Sequence, residues 1–412
     1  MFSEILRAHK SRRFWLLVLA VGVSGGLAGA AYVTVMKAGT LLLGPNAWSR
    51  PAHLVILVLA GGGIAVLTKV LGNPGDVELL VNNIHIGGQS DLRELRSLIP
   101  VSLLGIAAGS AIGPEAPLVQ TTGEMGNWAA TRFGMTAIET RTLTITGMAA
   151  GFTVLFGAPL GSAIFALEIL HRRGLQYYEA LMPAAAGSLA GFGVSMVTAH
   201  FGLTPIWRFH EVATLHPKDL AAGVLAGVAG AAIAAAFTYA THAIRQAFRR
   251  LPIPVRPVVG GLALGALAWV SPFALTFGEG QIQTVASTRL AVSTLLVAVA
   301  VKLLASSTIV SAGWRGGFII PLFFMGAALG AAAAPVLGVN QVVLMLALMV
   351  AANVGVTKTP LGSCLIVATM AGYRLLPPVL AASLVSLFLT SRVSMIETQR
   401  ERESEESEEQ RG

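Results

Sequence analysis

Glu115 lies in the turn Gly113-Pro114-Glu115-Ala116-Pro117, within apolar sequence. An ionisable side chain in such surroundings is costly and usually marks a pathway or a site. A second turn, Gly316-Gly317-Phe318-Ile319-Ile320-Pro321, has similar ingredients without the acid. In both turns glycine permits close approach of the backbone and proline suits the first turn of a following helix, so each is expected to be a helix N-terminus. Such an end offers partial positive charge and unpaired N–H groups, which replace an anion's water without the tight hold of a full cation. The chemistry these residues can do is to bind and release a small anion, with the Glu115 carboxylate attracted to the same donors. The plainer alternative is a static carboxylate that only complements the helix dipole.

Covalent chemistry finds less support. The eight histidines are scattered without a His-Glu-x-x-His arrangement, no Gly-Lys-Ser phosphate loop occurs, and the Gly-x-Ser-x-Gly spelling at Gly22-Val23-Ser24-Gly25-Gly26 falls inside the first apolar run rather than at a strand-to-helix elbow. The lone Cys364 excludes an internal disulfide and reads as a small buried residue. No enzymatic role, cofactor or metal is expected. A carrier for an organic acid would want an arginine within a span to grip a carboxylate, and a purely structural protein would not need Glu115 at a broken helix.

The elements that must position these turns are membrane helices. The 412 residues are 54% hydrophobic and 12% charged, too little charge for a soluble surface, where about a quarter is usual. Apolar runs at 14–36, 54–71 and 221–244 reach the ~20 residues that cross a bilayer. The net charge of +8 does not form a nucleic-acid stripe. Its cations flank apolar runs instead: Arg7, Lys10, Arg12 and Arg13; Arg172 and Arg173; and Arg245, Arg249, Arg250 and Arg256. The positive-inside rule puts these junctions in the cytoplasm with both termini, and residues 200–218, with Trp207, on the other side. A multi-pass protein of the plasma membrane is expected, with lipid as its surroundings. The N-terminus resembles a secretory signal, with small residues Ala28, Gly29 and Ala30, but the apolar run continues past them and implies an uncleaved first helix.

The chain also repeats itself. Ala158-Pro159-Leu160-Gly161-Ser162 and Thr359-Pro360-Leu361-Gly362-Ser363 lie 201 positions apart, and Gly113 to Leu118 matches Gly317 to Leu322 at an offset of 204 between Pro117 and Pro321. Glycine and proline interrupt apolar sequence at 109–117, 147–159, 313–321 and 355–360, where a continuous span would avoid them. Two halves, approximately 14–200 and 217–399, are therefore expected, with broken helices meeting near the midplane. One transmembrane domain would then cover 1–399, followed by an acidic segment at 400–412 that should stay solvated. Chance repetition of short apolar words is the alternative.

These motifs resemble the ClC family of chloride channels and transporters. The resemblance covers residues from about 54 to 399 and rests on the Glu115 turn, Gly317-Phe318 before Pro321, Gly157-Ala158-Pro159-Leu160 with Glu168 downstream, the run 302–330, and Ser394-Met395-Ile396-Glu397-Thr398-Gln399. It implies an all-α polytopic membrane protein of two inverted-topology repeats with tilted and broken helices, working as a homodimer that moves chloride or a similar anion. By the resemblance Glu115 is the gating glutamate. Gly113, Ala116, Gly317, Phe318 and Ile319 would form the anion site, with the Phe318 and Ile319 amides as central donors.

Three departures from the family pattern matter. Pro74, in Asn73-Pro74-Gly75-Asp76-Val77-Glu78, stands where a serine hydroxyl often contacts the anion, and proline has neither hydroxyl nor N–H. Ile396 falls at the central tyrosine. Ile169 occupies the position of the exchangers' internal glutamate, leaving Glu168 as the remaining candidate proton relay. Glu168 is more simply read as an ionised anchor beside His171 and Arg172, and Glu124 as a packing or hydrogen-bonded residue. Trp314 and Arg315 replace smaller, uncharged residues; Arg315 could concentrate anions or touch lipid headgroups.

Overall fold

A computed structural model describes residues 11–75, 81, 84–85, 93–172, 177–198, 206–210, 212 and 214–399. Arg7, Lys10, Asp76, Val77, Glu78, Arg173 and the acidic segment from 400 lie outside the described residues. Among the described residues the order is α1 (Arg12–Leu43), α2 (Arg50–Leu71), α3 (Arg93–Ala107), α4 (Glu115–Arg132), α5 (Ala137–Phe156), α6 (Pro159–Glu168), α7 (Leu181–Thr198), α8 (Pro217–Arg249), α9 (Arg256–Val270), α10 (Glu279–Ser287), α11 (Val292–Ser311), α12 (Ile319–Leu337), α13 (Gln341–Thr357), α14 (Pro360–Ala371) and α15 (Leu376–Leu389).

Among the described residues seven helical stretches are long and apolar enough to cross a membrane, α1 and α8 included at 32 and 33 residues. α1 runs unbroken through residues 28–30. α5 and α13 are buried on every face over most of their length, as helices that are apolar all round must be. Local signals set the ends. Thr136 and Glu139 form a capping box at the start of α5. Proline opens α6 and α14, where a missing N–H costs nothing. The proline-glycine punctuation thus produces the short helices, while uninterrupted sequence produces the spans.

The two halves pack as copies related by a two-fold. In the first half Gly126 lies against Leu143 and Gly147 against Thr122, which joins α4 to α5. In the second, Gly326 lies against Leu348 and Gly330 against Met345, which joins α12 to α13. At the seam Gly161 of α6 lies against Ile366 of α14, and Gly362 of α14 against Phe165 of α6. Each pair exchanges equivalents at the 201-residue offset, which a two-fold requires. The ends of the helices repeat the same relation in the two halves. α4 ends beside the start of α1, where the Arg13 guanidinium donates to Phe133 O at 2.9 Å. α12 ends beside the start of α8, where Lys218 Nζ donates to Gly338 O at 3.1 Å.

Candidate functional site

The two turns singled out from the sequence meet. Gly113 N donates to Gly317 O at 2.8 Å and Gly317 N to Gly113 O at 2.7 Å, an isolated antiparallel bridge. It holds the first residues of α4 and α12 together at the interface of the halves. A Cβ on either glycine would run into the Glu115 side chain, so the close approach requires glycine at both positions.

Glu115 is fully buried. Its Oε1 accepts the Ile320 N–H at 2.6 Å, so the carboxylate of α4 occupies an open donor at the N-terminus of α12. Its Oε2 has no hydrogen-bond partner among the described residues. The carboxylate therefore stands where an anion would be attracted, with half of its acceptor capacity unused.

A cavity of about 30 Å³ adjoins it, lined by Glu115, Ala116, Val119, Met148, Phe152, Ile169, Gly317, Phe318, Ile319 and Ile396. That is room for about one water-sized particle. Of the anticipated residues, Ala116, Gly317, Phe318, Ile319 and Ile396 gather here, while Gly113 contributes through the bridge. Pro74 is buried but is not among the lining residues of this cavity. Its neighbour Gly75 lines a second cavity of about 100 Å³ that shares Ala116, Phe318 and Ile396 with the first. Arg315 also lines that second cavity. A larger recess of about 910 Å³, bordered by Lys37, His53 and Glu279, shares no lining residue with either.

Glu168 stands apart from this cluster. Its Oε1 accepts Leu361 N–H at 3.0 Å and its Oε2 accepts Gly362 N–H at 2.8 Å. Its partners here are the open amides of α14. A helix N-terminus offers two aligned donors that suit both oxygens of one carboxylate, and this outcompetes flexible side chains. The segment carrying Ile396 is held by Gln399, whose Nε2 donates to Ile169 O and Thr357 O, each at 2.9 Å.

Sequence reasoning missed Ile320 as the Glu115 donor, the apolar wall of Val119, Met148 and Phe152, and the cavity residues Gln120 and Arg245. The wall carries no local signal, since apolar residues on apolar helices look alike.

Inverted halves whose broken helices start at one buried carboxylate define a membrane transport protein for anions. The family described as voltage gated chloride channel matches residues 75–391; the chain belongs to this family, whose members are channels or antiporters rather than enzymes. Among curated relatives, a "Chloride/fluoride channel protein" of Pseudomonas syringae pv. tomato is 25% identical, over 94% of this chain and 86% of that one. A "Voltage-gated ClC-type chloride channel ClcB" of Salmonella dublin is 27% identical, over 91% and 95%. Among solved structures, a CLC-type fluoride/proton antiporter superposes with a TM-score of 0.84 at 20% identity, covering 94% of this chain and 98% of that one. A slow cyanobacterial Cl⁻/H⁺ antiporter gives 0.80 at 21%, covering 93% and 95%.

Proposed function

We propose that the chain passes chloride, or a halide of similar size, along the line of the two joined cavities, and that Glu115 gates this path. The observation that carries the reading is the Glu115 Oε1 contact to Ile320 N–H at 2.6 Å. A carboxylate bound to a helix N-terminus blocks the donors while ionised and frees them when protonated or displaced by an anion. Gly113, Ala116, Gly317, Phe318, Ile319 and Ile396 are read as the surroundings of the anion, with Pro74 one residue removed. The junctions rich in arginine face the cytoplasm with both termini, in the plasma membrane, and two copies pair with one path each. Repeats at approximately 14–200 and 217–399 supply the two halves.

Weakly coupled flux is the favoured mode, because Ile169 lines the cavity where a proton-binding side chain would be needed and Glu168 is committed to α14. Proton-coupled exchange is the second reading, and fluoride the second substrate; a fluoride/proton antiporter and a Cl⁻/H⁺ antiporter share this fold. The test is efflux of chloride and of fluoride from liposomes containing the purified protein, with Glu115→Gln beside it. Flux of neither anion would end the reading; flux with unaltered gating in Glu115→Gln would end the role of the glutamate alone.

A further inference from the structure

Lys302 stands in the middle of α11, a 20-residue apolar span, and is fully buried. An ionisable side chain at that depth is costly and usually has a task. Its Nζ donates to Thr276 O at 2.6 Å and to Leu275 O at 3.1 Å, and lies 5.0 Å from the centre of the Phe324 ring. Both carbonyls belong to the segment 271–278 between α9 and α10. Thr276 adopts the left-handed region there, at φ 58°, which a side chain disfavours. It is held by Lys302 on its carbonyl and through its own N–H, which donates to Gly109 O at 2.9 Å. One turn further along α11, on the same face, Ser306 Oγ donates to Ala111 O at 2.8 Å.

Gly109 and Ala111 lead directly into Gly113, whose bridge to Gly317 joins the starts of α4 and α12. Phe324 lies one turn beyond Ile320, the donor to Glu115, and stacks on Phe273 of the 271–278 segment with ring centroids 5.6 Å apart. One face of α11 therefore reaches both helix starts, α4 through Gly109 and Ala111, and α12 through Phe324. We propose that Lys302, with Ser306, is a positioning residue for the gate: together they fix the backbone before Gly113 and so keep the Glu115 carboxylate on Ile320 N–H. The strained Thr276, sustained by a buried lysine beside the site, is the observation that carries this. The inference rests on the reading of Glu115 as the gate. A looser hold on an ionised carboxylate lets a proton or an anion displace it more easily. Among the described residues Glu279 of α10 and Tyr32 of α1 lie within electrostatic reach of Glu115, and the variants below leave both in place.

The test is the pH profile of chloride efflux from liposomes containing the full chain. Lys302→Met moves the half-maximal point to higher pH by about one unit, the hold of roughly one charge-assisted hydrogen bond. Ser306→Ala moves it the same way by less, and Lys302→Arg restores the parent's profile. In a Glu115→Gln background neither Lys302→Met nor Ser306→Ala has anything left to shift. A lysine that only supports the fold would lower yield and melting temperature and leave the half-maximal point alone. That result in both Lys302→Met and Ser306→Ala overturns the positioning role while the gate stands. Where Lys302→Met does not fold, Ser306→Ala and Lys302→Gln decide by the same measure. A weaker apparent chloride affinity that vanishes at high ionic strength, with the half-maximal pH unmoved, makes Lys302 a charge for the anion and also overturns positioning. A Glu115→Gln profile equal to the parent's removes the gate and this inference together.

Discussion

Glu115 holds one end of an open helix with one oxygen and, among the described residues, nothing with the other, and that imbalance makes it removable. Replacing the carboxylate with an amide keeps its size but removes the charge that competes for Ile320 N–H. Glu115→Gln is expected to flatten the dependence of anion efflux on pH, with a rate near that of the parent at acidic pH. The check is efflux from liposomes across pH 4 to 8; retention of the parent's profile would falsify the gate. Ile396 lines both cavities, so Ile396→Tyr puts a hydroxyl beside the anion and is expected to sharpen selectivity among chloride, nitrate and fluoride. Pro74→Ser should do less, because Gly75 rather than Pro74 borders the space. Equal shifts in competition assays for the two variants would place Pro74 in the path after all.

Among the helices, the equivalents Gly157 and Lys358 show how the repeat diverged. Both end a helix in the left-handed region, at φ 63° and φ 61°. Glycine adopts this freely, while a side chain there costs about 1–2 kcal/mol. Lys358 offsets that cost with three hydrogen bonds from its buried Nζ, to Gly355 O at 2.6 Å, Thr390 O at 2.7 Å and Thr390 Oγ1 at 2.9 Å. These tie the end of α13 to the end of α15. Lys358→Gly relieves the backbone but leaves buried acceptors unpaired, and charge-assisted bonds contribute about 1.5–3 kcal/mol each. The net expectation is a loss of about 2 kcal/mol or more, read as a lower melting temperature in detergent. A gain in melting temperature would show that backbone strain outweighs the lysine's bonds.

Across the whole molecule, the question is whether protons move with anions. Ile169, which binds no proton, lines the cavity beside Glu115, and the carboxylate of Glu168 is engaged by two amides. With an imposed chloride gradient and no pH gradient, proton movement in liposomes is expected not to exceed leak. Uphill proton pumping at a fixed ratio to anion would overturn this, and its loss in Glu168→Gln would make Glu168 the relay.

The sequence by itself determined the membrane class, the two-fold repeat and the turns at 113–117 and 316–321. Each rests on a local rule: charge too sparse for water, words repeated at one offset, glycine and proline where a span should run on. It also singled out Glu115, since a lone acid in apolar sequence stands out without any neighbour. Only the tertiary structure decided what faces what. That Glu115 takes Ile320 N–H, that Glu168 turns to α14, and that Arg245 and Arg315 border one cavity depend on pairs 205, 193 and 70 residues apart. No local pattern encodes those meetings, because they follow from how inverted halves pack through their glycines, and a carboxylate binds whichever open amides that packing brings within reach.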